Sequence, residues 1–140
     1  MQVKDVMTYN PAVVRSDTLL QEAAEKMRTL GIGVLPVCNG DRVIGLLTDR
    51  DVTVRATAAG CDPTMIQVCD VMTTNVVYCL EDQDVADAAK LMEAQEVRRL
   101  LVLNRQQQLI GIVSLDDLAA GGDPKLAGET LKEVSKSSGP

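Results

Sequence analysis

Short apolar runs alternate with stretches of helical period, and the whole order is written twice along the chain. In the first half, Ala12-Val-Val14 lies between Pro11 and Ser16-Asp17, which predicts a brief strand. Thr18-Leu-Leu-Gln21 has the spacing of a capping box, and Leu20, Ala23, Ala24 and Met27 then recur on one helical face. Gly31 is placed to stop that helix. Val34-Leu-Pro-Val-Cys38 and Val43-Ile-Gly-Leu-Leu47 read as two strands joined by the turn residues Asn39-Gly-Asp-Arg42. A further helix is predicted from near Thr48 to Gly60. The second half repeats the helical stripe as Val85, Ala88, Ala89 and Met92, and the strands as Leu100–Leu103 and Leu109–Val113. Its last helix is predicted to be short because Gly121-Gly122 interrupts it. Asp62-Pro63 and Asp123-Pro124 each read as an N-cap followed by proline at the first helical position. The second opens a tail whose segment Lys125–Ser135 is expected to be helical, with Leu126, Thr130, Leu131 and Val134 loosely on one side. Ser137–Pro140 is expected to be disordered.

The duplication extends to the residues themselves. Val3-Lys-Asp-Val-Met-Thr-Tyr-Asn10 returns as Val68-Cys-Asp-Val-Met-Thr-Thr-Asn75, displaced by 65 positions. Ile44-Gly-Leu-Leu-Thr-Asp-Arg-Asp51 returns as Ile110-Gly-Ile-Val-Ser-Leu-Asp-Asp117, displaced by 66. A tandem repeat of this length implies two copies of one strand–helix–strand–strand–helix unit related by approximate twofold symmetry. The expected division is 1–60 for the first copy, 61–67 for a connector, 68–121 for the second copy and 122–140 for the tail. Copies of this size are marginal alone, so they are expected to fold as an obligate pair. The small alanines of the two helical stripes suit either a close contact between copies or a plain core face.

Aromatic side chains are confined to Tyr9 and Tyr78, so the core must be aliphatic and base-stacking platforms are missing. The formal charge of -6 argues against general affinity for a polyphosphate backbone. No run of 18 apolar residues is present, nor a signal-peptide core, so a cytoplasmic location is expected. There is no histidine, which removes the His-based triads and the usual zinc sets. Cys38, Cys61, Cys69 and Cys79 show no C-x-x-C pairing and read as structural thiols.

The element with chemical content is Gly45-Leu-Leu-Thr48-Asp-Arg-Asp51, echoed by Gly111-Ile-Val-Ser114-Leu-Asp-Asp117. A strand here delivers a helix amino terminus, where unpaired N–H groups and the helix dipole favour an anion. A hydroxyl can meet a phosphate oxygen, a carboxylate can accept from a ribose diol, and a strand glycine admits a flat ligand. The same [ST]-x-x-D spacing is that of an ordinary capping box. Recurrence does not choose between the two readings, since any helix start is copied with the repeat.

The full order is Asp-Val-Met-Thr, an extended segment, an alanine-rich helix, a Leu-Pro-Val strand, then G-h-h-[ST]-x-x-D. It resembles the CBS domain, named from cystathionine β-synthase, and two in tandem resemble a stand-alone CBS pair of the Bateman type. The resemblance runs from Val3 to about Ala120. It implies an α/β (α+β) fold of two small sheets with helices packed about a pseudo-twofold axis. It also implies clefts between the copies that hold adenosine compounds. Carried onto this chain, Thr48 and Asp51 serve one cleft, Ser114 and Asp117 the other. Asn10, Pro11, Val13, Leu35 and Pro36 would lie against one adenine, and Asn75, Val76, Tyr78, Leu100 and Leu101 against the second. The copies depart from one another in their basic residues. Arg50 precedes the first aspartate where the second copy has Asp116, and Arg98-Arg99 stand where the first has Gly33-Val34. Leu101 and Val76 replace the prolines of the first copy, which alters the second cleft. Phosphorylated ligand is therefore expected to favour the Thr48/Arg50/Asp51 cleft.

The function implied is a non-catalytic sensor that binds AMP, ADP or ATP, ahead of S-adenosylmethionine or NAD(H), and relays ligand state to a separate partner. No cofactor is required, and a homodimer is expected. The alternative is a scaffold that keeps the fold without nucleotide, with Leu126–Val134 as its docking helix. An enzyme finds little support, because no base, nucleophile or paired carboxylate stands in an evident reaction geometry. Asp116-Asp117 could hold Mg²⁺ with a phosphate, but adjacent carboxylates at a helix start more often complement its dipole. No membrane contact is expected, and the charge balance gives nucleic acid no support.

Overall fold

The computed structural model describes residues 1–121 and 124–137, with side chains to Ser135. In chain order the elements are β1 (Thr8–Tyr9), β2 (Val14–Arg15), α1 (Leu20–Leu30), β3 (Val34–Asn39), β4 (Arg42–Thr48), α2 (Asp49–Asp51), β5 (Tyr78–Leu80), α3 (Val85–Gln95), β6 (Arg99–Leu103), β7 (Leu109–Ser114), α4 (Leu115–Gly121) and α5 (Pro124–Ser137). Helix α2 runs directly into a π-helical stretch, Val52–Thr57, and 3-10 turns form at Val3–Asp5 and Val68–Asp70.

The chain divides into two compact units. One is continuous, Pro11–Val76; the other is discontinuous and joins Met1–Asn10 to the described residues from Val77 onward. Boundaries of the repeats and of the compact units therefore differ. Each unit takes its Asp-Val-Met-Thr segment from the opposite repeat.

In the continuous unit a three-stranded mixed sheet has the order β2-β3-β4, with β2 parallel to β3 and β3 antiparallel to β4. Leu20, Ala23 and Met27 of α1 pack onto it with Leu35, Val37, Leu47, Ala56, Val68 and Val71. Aliphatic burial of this kind contributes roughly 25 cal/mol per Å² removed from water. Ala24, the fourth member of the predicted stripe, is only half-buried. The discontinuous unit has a four-stranded sheet in the order β1-β7-β6-β5. Val85, Ala88, Ala89 and Met92 of α3 are all buried in its core, beside Val3 and Met7 of the lead segment. Helix α5 packs on α3 and α4, burying Ala127, Thr130 and Val134, while Leu131 faces solvent. The buried Thr130 hydroxyl is satisfied by donating to the Leu126 carbonyl at 2.8 Å.

Several local expectations change. Thr18 and Gln21 form no capping box: α1 begins one residue later, at Leu20, with Leu19 as N-cap. The free N–H groups of Leu20 and Gln21 instead donate to the carbonyls of Ile66 and Pro63, so the connector caps the helix. Gly31 does end α1, in the left-handed region at φ 66°. The helix after Thr48 does not run regularly to Gly60. It widens, with Ala58 N–H donating to the Thr53 carbonyl and Cys61 N–H to that of Ala56. Asp62-Pro63 opens a turn, with Asp62 accepting from Thr64 N–H at 2.9 Å, and no helix follows. Ser137, expected to be disordered, is instead the last residue of α5; the break expected at Gly122, the cap at Asp123 and the disorder expected of 138–140 lie outside the described residues.

Candidate functional site

The lead segment of the continuous unit ends in Met72-Thr73, which lies across β4. Thr73 and Leu46 exchange both backbone hydrogen bonds at 2.8 Å. This contact explains the strand glycine. A β-carbon on Gly45 would fall 2.7 Å from the Met72 sulfur and 2.9 Å from the Thr73 carbonyl oxygen. In the discontinuous unit a β-carbon on Gly111 would meet Met7 and Thr8 at 2.6 and 2.9 Å. At both glycines the close neighbour is therefore the lead segment, where the sequence suggested a flat ligand.

At the end of β4 the Thr48–Asp51 pair forms a complete capping box. Asp51 N–H donates to the Thr48 hydroxyl at 3.1 Å, and Thr48 N–H donates to the Asp51 carboxylate at 3.0 Å. Ser114 and Asp117 repeat this at 3.1 and 2.8 Å. The Asp51 carboxylate, 6% exposed, does more. It accepts from the Thr73 hydroxyl at 3.1 Å and lies 3.7 Å from the Arg55 guanidinium. Arg55 also donates to the Met72 carbonyl at 3.1 Å. One carboxylate thus ties the end of β4, the π-helical stretch and the lead segment together. A carboxylate offers about four acceptor positions, so capacity for a ligand hydroxyl remains.

Thr73 and Arg55 were not singled out from the sequence. Both left a signal there: Thr73 is the repeated threonine of Asp-Val-Met-Thr, and Arg55 stands one helical turn after Asp51. The two helix starts differ in charge. Asp49, Arg50, Asp51 and Arg55 mark one, whereas Leu115, Asp116, Asp117 and Gly121 hold the corresponding places in the other. Register sets Arg99 opposite Ser114 and Val34 opposite Thr48. Arg98 is exposed; its carbonyl accepts from Leu115 N–H at 3.0 Å, and its guanidinium approaches the Ser135 hydroxyl at 3.5 Å.

Of the other residues singled out from the sequence, Pro11, Val13, Leu35, Pro36, Asn75 and Val76 lie in the continuous unit with Thr48, Arg50 and Asp51. Asn10, Tyr78, Leu100 and Leu101 lie in the discontinuous unit with Arg98, Arg99, Ser114 and Asp117. Leu35, Pro36, Leu100 and Leu101 are buried, while Arg50, Asn10, Asn75, Val13 and Tyr78 are exposed. Among the described residues no group of three or more His, Cys, Asp or Glu is placed to hold a metal ion. Cys38 and Cys79 are buried; burial pushes both thiols up, that of Cys79 to about 11. No helix among the described residues is long and apolar enough to cross a membrane.

The repeated sheet and its capped strand end define a class, and comparison with known proteins gives it a name. The CBS domain family model matches residues 3–56 and 68–121. The chain belongs to the CBS-domain family as a tandem pair, which makes it a regulatory module and not a catalyst. It is 38% identical over 134 residues to the CBS domain-containing protein YhcV of Bacillus subtilis, covering 95% of this chain and 94% of that one. It is similar to hypoxic response protein 1 of Mycobacterium tuberculosis, 33% identical over 83% of this chain and 81% of that protein. A crystal structure of hypoxic response protein I with two coordinated zinc ions matches with a TM-score of 0.76, 32% identity and coverage of 85% and 97%. The CBS domain pair of protein MJ0100, in complex with 5′-methylthioadenosine and S-adenosyl-L-methionine, matches at 25% identity and TM-score 0.75, covering 85% of this chain and 97% of that one.

Proposed function

We propose that this CBS pair is a sensor of an adenosine-containing ligand and relays its presence to a partner protein. The observation that carries the reading is the MJ0100 pair, which has this fold and holds two adenosyl compounds. The chemistry of the strand end supports it. Thr48 and Ser114 each present a hydroxyl at a helix start, and Asp51 and Asp117 a carboxylate suited to a diol. Arg50 and Arg55 beside Asp51 favour a phosphorylated ligand there, so AMP, ADP or ATP is assigned to the continuous unit. The remaining residues named from the sequence stand as proposed contacts on the same terms. A homodimer and a cytoplasmic location complete the proposal. One observation favours a ligand-free scaffold instead: Asp51 and Thr48 already satisfy each other and Thr73.

A thermal-shift panel with AMP, ADP, ATP, S-adenosylmethionine and NADH, with and without Mg²⁺, separates the two. A ligand at a hundred times its Kd stabilises one site by about 2.7 kcal/mol. The expected outcome is a selective rise in melting temperature that Asp51→Ala abolishes. Loss of the cap alone lowers stability by about 1 kcal/mol with and without ligand. A flat panel on nucleotide-free protein leaves the scaffold.

A further inference from the structure

The continuous unit contains a second feature, which shares only Val13 with the contacts proposed around the strand end. A cavity of about 560 Å³ opens between the edge strand β2 and the outward face of α1, lined by Val13, Arg15, Thr18, Glu22, Lys26 and Cys38. That volume falls within the range of small-molecule sites. β2 pairs with the far half of β3, Arg15 opposite Cys38, whereas Thr48 pairs with Val34 at its beginning.

Its charges are unevenly used. Arg15 is held in a two-pronged pair with Asp17, both contacts at 3.0 Å. Lys26 donates to the Val13 carbonyl at 2.8 Å and has no carboxylate partner among the described residues. The Glu22 carboxylate has no hydrogen-bond or ion-pair partner among them. Glu22 and Lys26 stand four residues apart, the spacing at which such side chains pair across about 6 Å, yet they do not. A cation without a carboxylate partner and an anion without a cationic one, both exposed, thus line the same cavity, with Val13 and the buried thiol of Cys38 as apolar wall.

The repeat provides an internal control. The places of Arg15, Lys26 and Cys38 are taken in the other copy by Leu80, Leu91 and Leu103, while Asp87 stands at the place of Glu22, so the other copy keeps the anion and loses both cations. We infer that the cavity binds a small zwitterion, an apolar α-amino acid. Lys26 receives its carboxylate, Glu22 its ammonium, and the wall at Val13 and Cys38 its side chain. A ligand carrying both charges is the one that can pair with Glu22 and Lys26 together.

Calorimetry on the whole chain tests this with L-leucine, 4-methylpentanoate (which lacks the ammonium) and 3-methylbutylamine (which lacks the carboxylate). Leucine is expected to bind, and each truncated analogue about tenfold more weakly or worse, the scale of one charged hydrogen bond. Glu22→Gln should weaken leucine while leaving 4-methylpentanoate unchanged. Arg15→Leu combined with Lys26→Leu copies the other repeat, where the fold already accepts these residues, and should abolish binding. No heat with leucine overturns the proposal, as does survival of binding in that double variant. Equal affinity for leucine and 4-methylpentanoate overturns the zwitterion and leaves an anion site.

Discussion

At the scale of single residues, the two strand glycines carry the clearest physical demand. Gly45 and Gly111 are buried where a sulfur and a carbonyl oxygen stand within 3 Å of the missing β-carbon. The methionine can swing aside, but the carbonyl belongs to a paired backbone and cannot. Gly45→Ala should therefore destabilise the fold by about 2 kcal/mol, the usual cost of overpacking. Gly111→Ala should do the same. Gly128 in α5 has nothing within 4 Å of the place a methyl group would take, and Gly128→Ala should stabilise by about 1 kcal/mol through helix propensity. Chemical denaturation of the three variants checks the contrast. Equal small effects would show that Met72-Thr73 does not lie against β4. The recurrence of these glycines was legible in the sequence, but its cause was not. The chain that crosses each glycine comes from a segment far away in sequence, and spacing within a motif does not report such contacts.

At the scale of elements, periodicity was a sound guide to the longer helices and strands, because each buries one face, but it gave no sign of β1, whose two residues are exposed. It was a poorer guide to how they end. Helices α1 and α3 occupy the same place in their repeats and enter with nearly the same backbone, Leu19 at φ -63°, ψ 141° and Asp84 at φ -70°, ψ 147°. Asp84 accepts from Ala86 N–H at 2.9 Å, and this bond holds its carboxyl below the usual range. In α1 the corresponding N–H, that of Gln21, is already bonded to the Pro63 carbonyl at 3.1 Å. Leu19→Asp, which a rule for N-caps would rank as stabilising, should therefore gain nothing. Asp84→Ala should lower the melting temperature, since no backbone carbonyl stands in for it at Ala86. Melting curves of the two variants decide. A clear gain from Leu19→Asp would mean that the connector does not cap α1. A tertiary carbonyl thus replaced the side chain expected at Thr18, and a sequence pattern cannot register that exchange.

At the scale of the whole molecule, the repeat in the sequence and the unit in space are different objects. The sequence places each Asp-Val-Met-Thr at the head of its own copy, the natural reading when only neighbours along the chain are visible. In the structure Met1–Asn10 instead belongs with the second copy, and the connector through Val76 with the first. The lead segment is no ornament there. Val3 and Met7 are 0% and 7% exposed within the second copy's core, and Thr8 and Tyr9 pair with Ile112 and Gly111 of β7. Val3 N–H donates to the Gln83 carbonyl at 2.8 Å, and Val85 N–H, at the start of α3, donates to the Met1 carbonyl at 3.0 Å. Removing residues 1–10 would expose the β7 edge and delete two core side chains, Val3 and Met7, each worth about 2 kcal/mol when buried. The damage should therefore appear far along the chain. In hydrogen exchange of the shortened protein, amides of β6, β7 and α3 should lose protection first, while those of β3 and β4, nearer in sequence to the cut, keep theirs longer. Loss beginning in β3 and β4 would mean that the lead segment serves its own repeat. Loss in both units at once would mean that neither stands without the other, and would overturn the expected order.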